Sequence, residues 1–243
     1  MGVTVSTRKS MEYRQLTIWF NQSVEMSSSP DIDPILAAAE IEFATHGFAG
    51  ARVDRIAERA GVNKATLYYR IGDKERLYAL VLRSTIDRAL ASLREAVAAS
   101  PAPDDQMRAV VAIMAGAARS NPHFPSLMLR EIAGGGTTLP PEVLERFSEA
   151  IRIIAGILEE GRKQGEFRRT DPLITHMIIT GSILVLSAGI PLRKKIRRRL
   201  RLKGRTRAGI DEDFADEITS FILAGLAAPR HDTEKHAHVR KRS

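Results

Sequence analysis

The feature that most constrains this chain is a pair of short helical patterns separated by a glycine, within residues 52–78. Ile56 and Ala57 give the first pattern an apolar edge. Gly61 ends it, because glycine takes the left-handed conformation beyond a helix end without steric cost. Asn63 is a good N-cap for the second pattern, which is rich in Lys, Thr, Tyr and Arg. This arrangement predicts a helix-turn-helix whose second helix enters the DNA major groove.

The same stretch resembles the DNA-binding module of the tetracycline-repressor (TetR/AcrR) family. The residues that carry the resemblance are, in order, Ile56, Ala57, Ala60, Gly61, Val62, Lys64, Thr66, Leu67, Tyr68, Lys74, Glu75 and Leu77. The preceding segment, residues 35–48, resembles the first helix of that family. Two positions depart from the family pattern: Arg52 stands where Ser or Thr usually caps the second helix, and Ile71 stands where an aromatic residue is usual.

The resemblance implies that the second motif helix and its surroundings contact DNA. In this interpretation Lys64, Thr66 and Tyr69 face base edges, whereas Tyr68 and Lys74 hold phosphates. The expected DNA-binding residues are Arg52, Asn63, Lys64, Ala65, Thr66, Tyr68, Tyr69, Arg70 and Lys74. The residues alone leave open a second interpretation, a solvated helix with ordinary surface charge.

Helical periodicity continues through the rest of the chain, and no run has the alternating, β-branched character of a strand. We therefore predict an all-α fold, with an N-terminal three-helix head joined to a larger helical domain. The predicted divisions are a flexible arm at 1–30, a DNA-binding domain at 31–90 with its helix-turn-helix at 52–71, a regulatory and dimerisation domain at 101–228, and a disordered basic tail at 229–243. Met26 is an alternative start, so the sequence leaves open whether residues 1–25 are translated.

The excess positive charge lies away from the predicted reading head. The chain of 243 residues has a formal charge of +8, yet residues 31–95 contain ten Lys/Arg and ten Asp/Glu. Residues 193–207 contain ten basic residues and no acidic one. We interpret this run as a flexible, solvated loop between two helices, and attraction to nucleic acid or anionic lipid is the alternative.

A run that is apolar nearly all round, residues 174–190, predicts a helix that is buried on every side. In a domain of this size such a helix indicates a subunit partner. The expected dimer interface consists of Met177, Thr180, Gly181, Ile183, Leu184, Phe214, Ile218, Phe221 and Ile222.

Large, deformable apolar side chains recur on the helices between residues 107 and 177. They form core by default, but the family resemblance implies that such a set surrounds an apolar ligand. The expected pocket residues are Met107, Val111, Met114, Phe124, Met128, Phe147, Ile151, His176 and Met177. Arg119 and Arg130 are the only cations that the pattern places near them. The alternative is a filled core with no cavity.

Several classes of protein are disfavoured by the sequence. The chain has no cysteine, which excludes disulfides and cysteine-based metal sites. No nucleophile set, metal-ligand motif or glycine-rich phosphate loop stands at recognisable spacing, so we expect neither an enzyme, a cofactor nor a metal site. The longest run without Asp, Glu, Lys, Arg or His, residues 177–192, is shorter than the roughly 20 residues that a bilayer needs. With no signal-peptide pattern, we expect a cytoplasmic protein without a membrane partner.

The resemblance implies a homodimeric transcriptional regulator that binds double-stranded DNA at a palindromic operator. The regulator is usually a repressor, and we expect a small, apolar ligand to release it from DNA. The alternative is a DNA-binding regulator with a filled C-terminal core and no ligand. The ligand, the operator and the regulated genes are not encoded in any pattern we can identify.

Overall fold

The computed structural model describes residues 32–201 and 212–229. The predicted arm at 1–30, residues 202–211 of the basic region, and the predicted tail after Pro229 lie outside these ranges. Within them every regular element is a helix, which confirms the all-α prediction, and the extended residues Phe167 and Ala227 form one isolated antiparallel bridge.

Ten helices make up the described part of the chain. They are α1 (Asp33–Gly50), α2 (Val53–Arg59), α3 (Lys64–Ile71), α4 (Lys74–Ala99), α5 (Pro103–Ser120), α6 (Phe124–Ala133), α7 (Pro141–Lys163), α8 (Pro172–Ala188), α9 (Ile190–Leu200) and α10 (Glu212–Leu226).

Helices α1, α2 and α3 form the head, and α1 consists of two helical segments that meet at Gly47. It continues to Gly50 past a kink at Gly47, whose φ of 70° and ψ of 175° are not helical. A side chain would be strained in that conformation, and its Cβ would also lie 3.0 Å from the Arg130 side chain. The kink turns the chain toward α2 while Ile35 and Phe43 stay fully buried.

Helix α4 connects the head to the body. Its first turns pack Leu77 and Tyr78 against the head, where the Tyr78 ring lies 4.8 Å from the Phe43 ring and 5.0 Å from the Phe48 ring. Its later turns pack against α5 and α7. Helix α8 in turn packs against α5, α6 and α7, and α10 packs against α5. The head and the body therefore share one continuous apolar core through α4.

The basic run is not a loop at its start, contrary to the sequence prediction. Ile190–Leu200 is a helix that leaves α8 at an angle of 71°. Pro191 sits in its first turn, where proline is tolerated because the N–H there has no intrahelical partner. Lys, Arg and Leu are all good helix formers, so the charge of this run does not oppose helix formation.

Within the described residues, no single helix is both long enough and apolar enough to cross a bilayer. Only the bent pair formed by α8 and α9 meets the length and composition requirements, and it does so only when the two helices are taken together.

Candidate nucleic-acid interface

The turn between α2 and α3 is a Schellman motif. Gly61 has a φ of 70°, its N–H donates to the Glu58 carbonyl at 3.1 Å, and the Val62 N–H donates to the Ala57 carbonyl at 3.0 Å. These two hydrogen bonds satisfy the last carbonyls of α2 and require the left-handed conformation at Gly61. The predicted glycine turn is confirmed, and it fixes the angle at which α3 leaves α2.

Helix α3 separates a buried face from an exposed one. Its N-cap is Asn63, whose Oδ1 accepts the Thr66 N–H at 2.7 Å, as predicted. Leu67 and Ile71 are buried in the apolar core, so Ile71 does fill the core in place of an aromatic residue. Tyr69 is 91% exposed and Tyr68 is 43% exposed, although aromatic side chains in a small head usually pack inside. Their exposure gives α3 a large surface that is free for another molecule.

Most of the predicted DNA-binding set lies on this one side of the head. Thr66 and Lys74 are half-buried, whereas the others are exposed: Arg52, Asn63, Lys64, Ala65, Tyr68, Tyr69 and Arg70. The outward face of α3 and the starts of α2 and α4 thus form a single surface, which we call the reading surface.

Two lysines of the reading surface already have partners in the free protein. The Lys64 Nζ lies 2.8 Å from the Asp54 Oδ1. The hydrogen bond between them lowers the pKa of the Asp54 carboxyl and raises the pKa of the Lys64 ammonium. The Lys74 Nζ donates to the Ala49 carbonyl at 3.3 Å and lies 4.9 Å from the centre of the Phe48 ring. These lysines are held in place before any phosphate reaches them.

Sequence reasoning missed Glu42, which accepts a backbone hydrogen bond at the start of α2, where the Arg52 side chain supplies no cap. The Arg52 side chain makes no cap hydrogen bond. Instead the Arg52 N–H donates to the Glu42 Oε1 at 3.1 Å, and the Arg55 Nη1 lies 3.5 Å from the same oxygen. Glu42 is only 2% exposed. Its signal in the sequence was an acidic residue one turn after Ala38 and Ala39, on the apolar stripe of α1.

Helix α6 joins the body to the head by polar contacts. The buried Glu131 carboxylate accepts a hydrogen bond from the Tyr78 hydroxyl and another from Thr138 at 2.7 Å. Burial, followed by the hydrogen bond to Glu131, raises the pKa of the Tyr78 hydroxyl well above its ordinary range. The adjacent Arg130 donates from Nη2 to the Thr45 carbonyl of α1 at 3.2 Å. Arg130 therefore contacts the head, away from the apolar pocket set.

The predicted ligand-pocket residues differ in how deeply they are buried. Met107, Val111 and Met128 are at most 5% exposed and belong to the core. Met177 is 57% exposed. The remaining members are half-buried between these extremes: Met114, Phe124, Phe147, Ile151 and His176.

The half-buried part of this set contains one polar spot. The His176 Nε2 lies 3.5 Å from the Thr180 Oγ1, which donates to the Met114 Sδ at 3.7 Å. The His176 Nδ1 is buried and has no hydrogen-bond partner in the described part of the chain. Burial lowers the pKa of the His176 imidazole, which keeps the ring neutral near pH 7.

A cleft of about 790 Å³ lies elsewhere, where α7 ends and α8 begins. Its lining is mainly polar and charged and contains none of the predicted pocket residues. The lining residues are Ala155, Leu158, Glu159, Arg162, Arg168, Arg169, Thr170, Asp171 and Pro172.

The predicted dimer-interface residues also divide. Ile183, Leu184, Ile218 and Ile222 are at most 8% exposed, because they pack inside the protomer. Thr180, Gly181 and Phe214 are half-buried, whereas Met177 and Phe221 are 57% and 74% exposed. Further exposed apolar residues lie on α8, where Leu173, Ile174, Ile178 and Val185 are each about half exposed. Together with Met177 and Phe221 they form what we call the apolar face.

Comparison with known proteins gives consistent matches to both halves of the chain. Residues 35–81 match the family described as bacterial regulatory proteins, tetR family. Residues 103–203 match the family described as tetracyclin repressor-like, C-terminal domain. The first match contains the complete helix-turn-helix, and the second runs from α5 to just beyond α9.

Two regulators are each 32% identical to this chain over the part that aligns. The HTH-type transcriptional regulator RutR of Escherichia coli is 32% identical over 144 residues, which is 59% of this chain and 66% of RutR. The HTH-type transcriptional repressor NicS of Pseudomonas putida is 32% identical over 149 residues, which is 59% of this chain and 68% of NicS. The chain thus aligns with just under two thirds of the length of RutR.

Among solved structures, the transcriptional regulator FadR from Bacillus subtilis in complex with stearoyl-CoA superposes with a TM-score of 0.59. The superposition covers 79% of this chain and 98% of that chain at 17% identity. At an identity this low, the superposition shows that the two proteins share a fold and nothing more.

Proposed function

This chain belongs to the tetR family of bacterial regulatory proteins, and from that membership we propose that it is a DNA-binding transcriptional repressor. The observation that carries the proposal is the α2–α3 unit, in which a fixed glycine turn presents an exposed helix with Lys64, Tyr68, Tyr69 and Arg70. NicS, the relative described above, is a transcriptional repressor of the same type.

On the reading surface, we propose that Lys64, Thr66 and Tyr69 meet base edges in the major groove. Tyr68 and Lys74 are placed to meet phosphates, which orient the head without reading sequence. The Lys64–Asp54 pair must open for the ammonium to reach DNA, and because both side chains are about half exposed, the exchange requires little desolvation. Binding to DNA therefore breaks this ion pair without disturbing the core.

The regulator acts as a homodimer on a palindromic operator. The support for a dimer is the apolar face, because Ile174, Ile178 and Val185 recur at helical spacing on one side of α8, and Phe221 of α10 is the most exposed apolar residue of the body. Apolar patches of this kind mark protein–protein contacts. Two heads in a symmetric dimer read two half-sites about 34 Å apart, or a multiple of that distance.

The ligand is predominantly apolar and carries one hydrogen-bonding group. It enters between α5, α7 and α8 beside the half-buried residues Met114, Phe147 and Ile151, and its polar group meets the neutral His176. A buried imidazole nitrogen without a partner loses hydrogen-bond energy that a ligand would restore. FadR, which has the same fold, was solved with stearoyl-CoA, a ligand with a long apolar chain.

Helix α6 connects the ligand to the DNA. It carries Phe124 and Met128 of the pocket set, and a few residues later Arg130 contacts the head and Glu131 contacts Tyr78 of α4. A ligand that displaces α6 therefore changes the position of α1 and of the reading surface. It lowers operator affinity by the difference between its affinities for the two arrangements.

Selection of bound DNA from a random pool tests the DNA-binding proposal and reports the symmetry of the operator. We expect enrichment of an inverted repeat by the full chain. A Tyr69→Ala variant, altered only at an exposed position, should lose the enriched sequence while its circular dichroism spectrum stays unchanged. Recovery of no preferred sequence, or of the same sequence by the variant, would contradict the assignment of α3.

Thermal melting in the presence of candidate compounds tests the ligand. Long-chain apolar compounds with a terminal hydroxyl or carboxyl group should raise the melting temperature and release operator DNA. A His176→Phe variant should lose the preference for the polar terminus while it still binds the apolar chain. If only polyanions stabilise the protein, or if stabilising compounds leave operator binding unchanged, the apolar-ligand proposal is wrong.

A further inference from the structure

Helix α9 (Ile190–Leu200) presents a stripe of large apolar side chains to solvent. Leu192, Ile196 and Leu200 recur at four-residue spacing, which places them on one face of the helix. Their exposed fractions are 60%, 46% and 60%. No residue of α9 is buried. The stripe is therefore not explained by packing within the protomer.

The remainder of this helix is almost entirely cationic. Residues 190–201 contain seven Lys/Arg and no Asp/Glu. At about 100° per residue, Lys195 and Arg199 lie on one side of the apolar stripe. Arg193 and Arg197 lie on its other side. An apolar stripe with cations along both borders is typical of helices that lie in the plane of a membrane surface.

The helix is already formed and held at a fixed angle. The Arg193 Nη2 donates to the Leu186 carbonyl at 2.8 Å, and the Arg193 guanidinium lies 5.4 Å from the centre of the Phe214 ring. These contacts tie the first turn of α9 to α8 and α10. Because the helix is ordered before it meets a partner, binding does not incur the entropy cost of folding it.

We propose that α9 binds the surface of membranes that contain anionic lipids. Leu192, Ile196 and Leu200 insert at the boundary between the headgroups and acyl chains, while the exposed Lys195 and Arg199 meet the headgroup phosphates. The helix is about 16 Å long, so it lies along the surface and does not span the bilayer. This interaction goes beyond the proposed repressor function and does not depend on it.

The apolar stripe distinguishes this partner from nucleic acid. Phosphate backbones attract cations, but they offer no apolar surface to cover three exposed leucine and isoleucine side chains. A second copy of the chain is disfavoured by charge, because two α9 helices would bring six cations against six. An anionic lipid surface supplies both the negative charge and the apolar layer that the helix lacks.

Flotation of the full chain with vesicles tests the proposal. We expect binding to vesicles of phosphatidylcholine with 30–40% phosphatidylglycerol, as is typical for polybasic helices, and no binding to phosphatidylcholine alone. Raising the salt concentration from about 0.1 M to 0.5 M should weaken the binding, because screening shortens the reach of the charges.

Paired variants separate the two contributions. The Leu192→Ser/Ile196→Ser double variant should bind anionic vesicles at least about tenfold more weakly, since it removes apolar area from the bilayer. Lys195→Gln/Arg199→Gln should weaken binding about thirtyfold, from roughly a factor of five for each cation near the surface. The control is Ile132→Ser/Leu144→Ser, which changes residues of similar exposure on α6 and α7 and should bind as the unaltered protein does.

Three outcomes would overturn the proposal. One is equal binding by the Leu192/Ile196 variant and the control, which would make the contact purely electrostatic. Another is tight binding of heparin or single-stranded RNA by both the unaltered protein and the Leu192→Ser/Ile196→Ser variant, with no binding to vesicles. That result would indicate a nucleic-acid surface. The third is a change from dimer to monomer in sedimentation caused by the α9 variants, which would make the stripe an interface between copies.

Discussion

The head and helices α8, α9 and α10 of the body expose different kinds of large apolar side chain. In the described part of the head, the large apolar side chains left exposed are the two tyrosines of α3, Tyr68 and Tyr69, whose hydroxyls suit a polar partner. On α8, α9 and α10 the exposed large apolar side chains are aliphatic, thioether or phenyl, with no polar tip. They are Leu173, Ile174, Met177, Ile178, Val185, Leu192, Ile196, Leu200 and Phe221.

This contrast indicates what each region meets. Tyrosine hydroxyls and cationic side chains suit hydrated phosphates and base edges, because those partners offer polar groups for hydrogen bonds and ion pairs. Aliphatic surface in such quantity is costly to leave in water and gains most from a dry partner. The difference is therefore between a surface that exchanges water for phosphate and a surface that excludes water.

The largest expected effect comes from placing a charge on the apolar face. Ile178→Arg should prevent dimer formation, because a buried guanidinium without a partner is costly to desolvate. Operator affinity should fall by about 10³-fold, toward that of a non-specific monomer. Sedimentation and operator titration measure the two effects. Ile183→Arg is unsuitable for this test, because Ile183 is 2% exposed and the change would disrupt the protomer core.

An intact dimer for Ile178→Arg would show that the apolar face is not the interface. Arg152→Ile, at an exposed site on α7, is the matched control, and we expect it to remain dimeric.

Removing a buried side chain from α3 should affect the head itself. Leu67 is fully buried, so Leu67→Ala should lower the free energy of unfolding by about 2–5 kcal/mol. Chemical denaturation measures the loss. Ala65→Ser, on the exposed side of the same helix, should change the stability by less than about 0.5 kcal/mol. Similar losses in both variants would contradict the division of α3 into two faces.

The tyrosines at positions 78 and 68 allow the same substitution in a buried and an exposed setting. Tyr78→Phe leaves the buried Glu131 carboxylate with one donor fewer, which should lower the free energy of unfolding by about 1–3 kcal/mol. The phenyl ring keeps its contacts with Phe43 and Phe48. Thermal denaturation measures the loss, and direct DNA contacts should not change. A stability equal to that of the unaltered protein would show that Glu131 is satisfied by Thr138 alone.

Tyr68→Phe should leave stability unchanged and weaken binding to all DNA sequences alike. It removes one phosphate hydrogen bond, a contribution of about 0.5–1.5 kcal/mol, or roughly twofold to tenfold in affinity. Thr66→Ala should instead alter the preference among bases. Titration of specific and random duplexes measures both. Unchanged binding by both variants would contradict the placement of α3 in the groove.

The smallest expected effect concerns the Lys64–Asp54 pair. Asp54→Asn removes the partner of the Lys64 ammonium, which then reaches a base edge without breaking an ion pair, so operator affinity measured by duplex titration should rise by up to about fivefold. The pKa of Asp54 is lowered from its ordinary value of 3.8, so the pair persists above that pH and is lost only as the pH falls through the lowered pKa. The difference in operator affinity between the variant and the unaltered protein should therefore be constant from about pH 6 to 8. Unchanged operator affinity would contradict the assignment of Lys64 to a base edge.

The helix-turn-helix was predictable because its determinants are local. Gly61 needs only its own φ and the two carbonyls behind it, and Asn63 needs only the N–H of Thr66 three residues on. Such contacts lie within one turn of the chain, so residue type and spacing specify them. The same holds for the Asp73 cap of α4, whose Oδ1 accepts the Arg76 N–H at 2.7 Å.

The basic run shows where a local pattern was misjudged. Charge density suggested a solvated loop, yet Leu192, Ile196 and Leu200 already had helical spacing in the sequence. The sequence could not show which contact holds this helix in place, because Arg193 and Phe214 are separated by twenty residues in the chain. Contacts of this range depend on how α8 and α10 pack.

By itself the sequence determined the all-helical class, the turn at Gly61, the exposed polar face of α3 and the family to which the chain belongs. Those features follow from short-range rules of capping and periodicity. Only the tertiary structure decided that Ile183 and Ile222 are core whereas Ile178 and Phe221 face outward, and that Glu42 of another helix accepts a backbone hydrogen bond at the start of α2. The physical reason is that a helix with apolar residues all round has no preferred side of its own, so the neighbouring helices decide which face is buried.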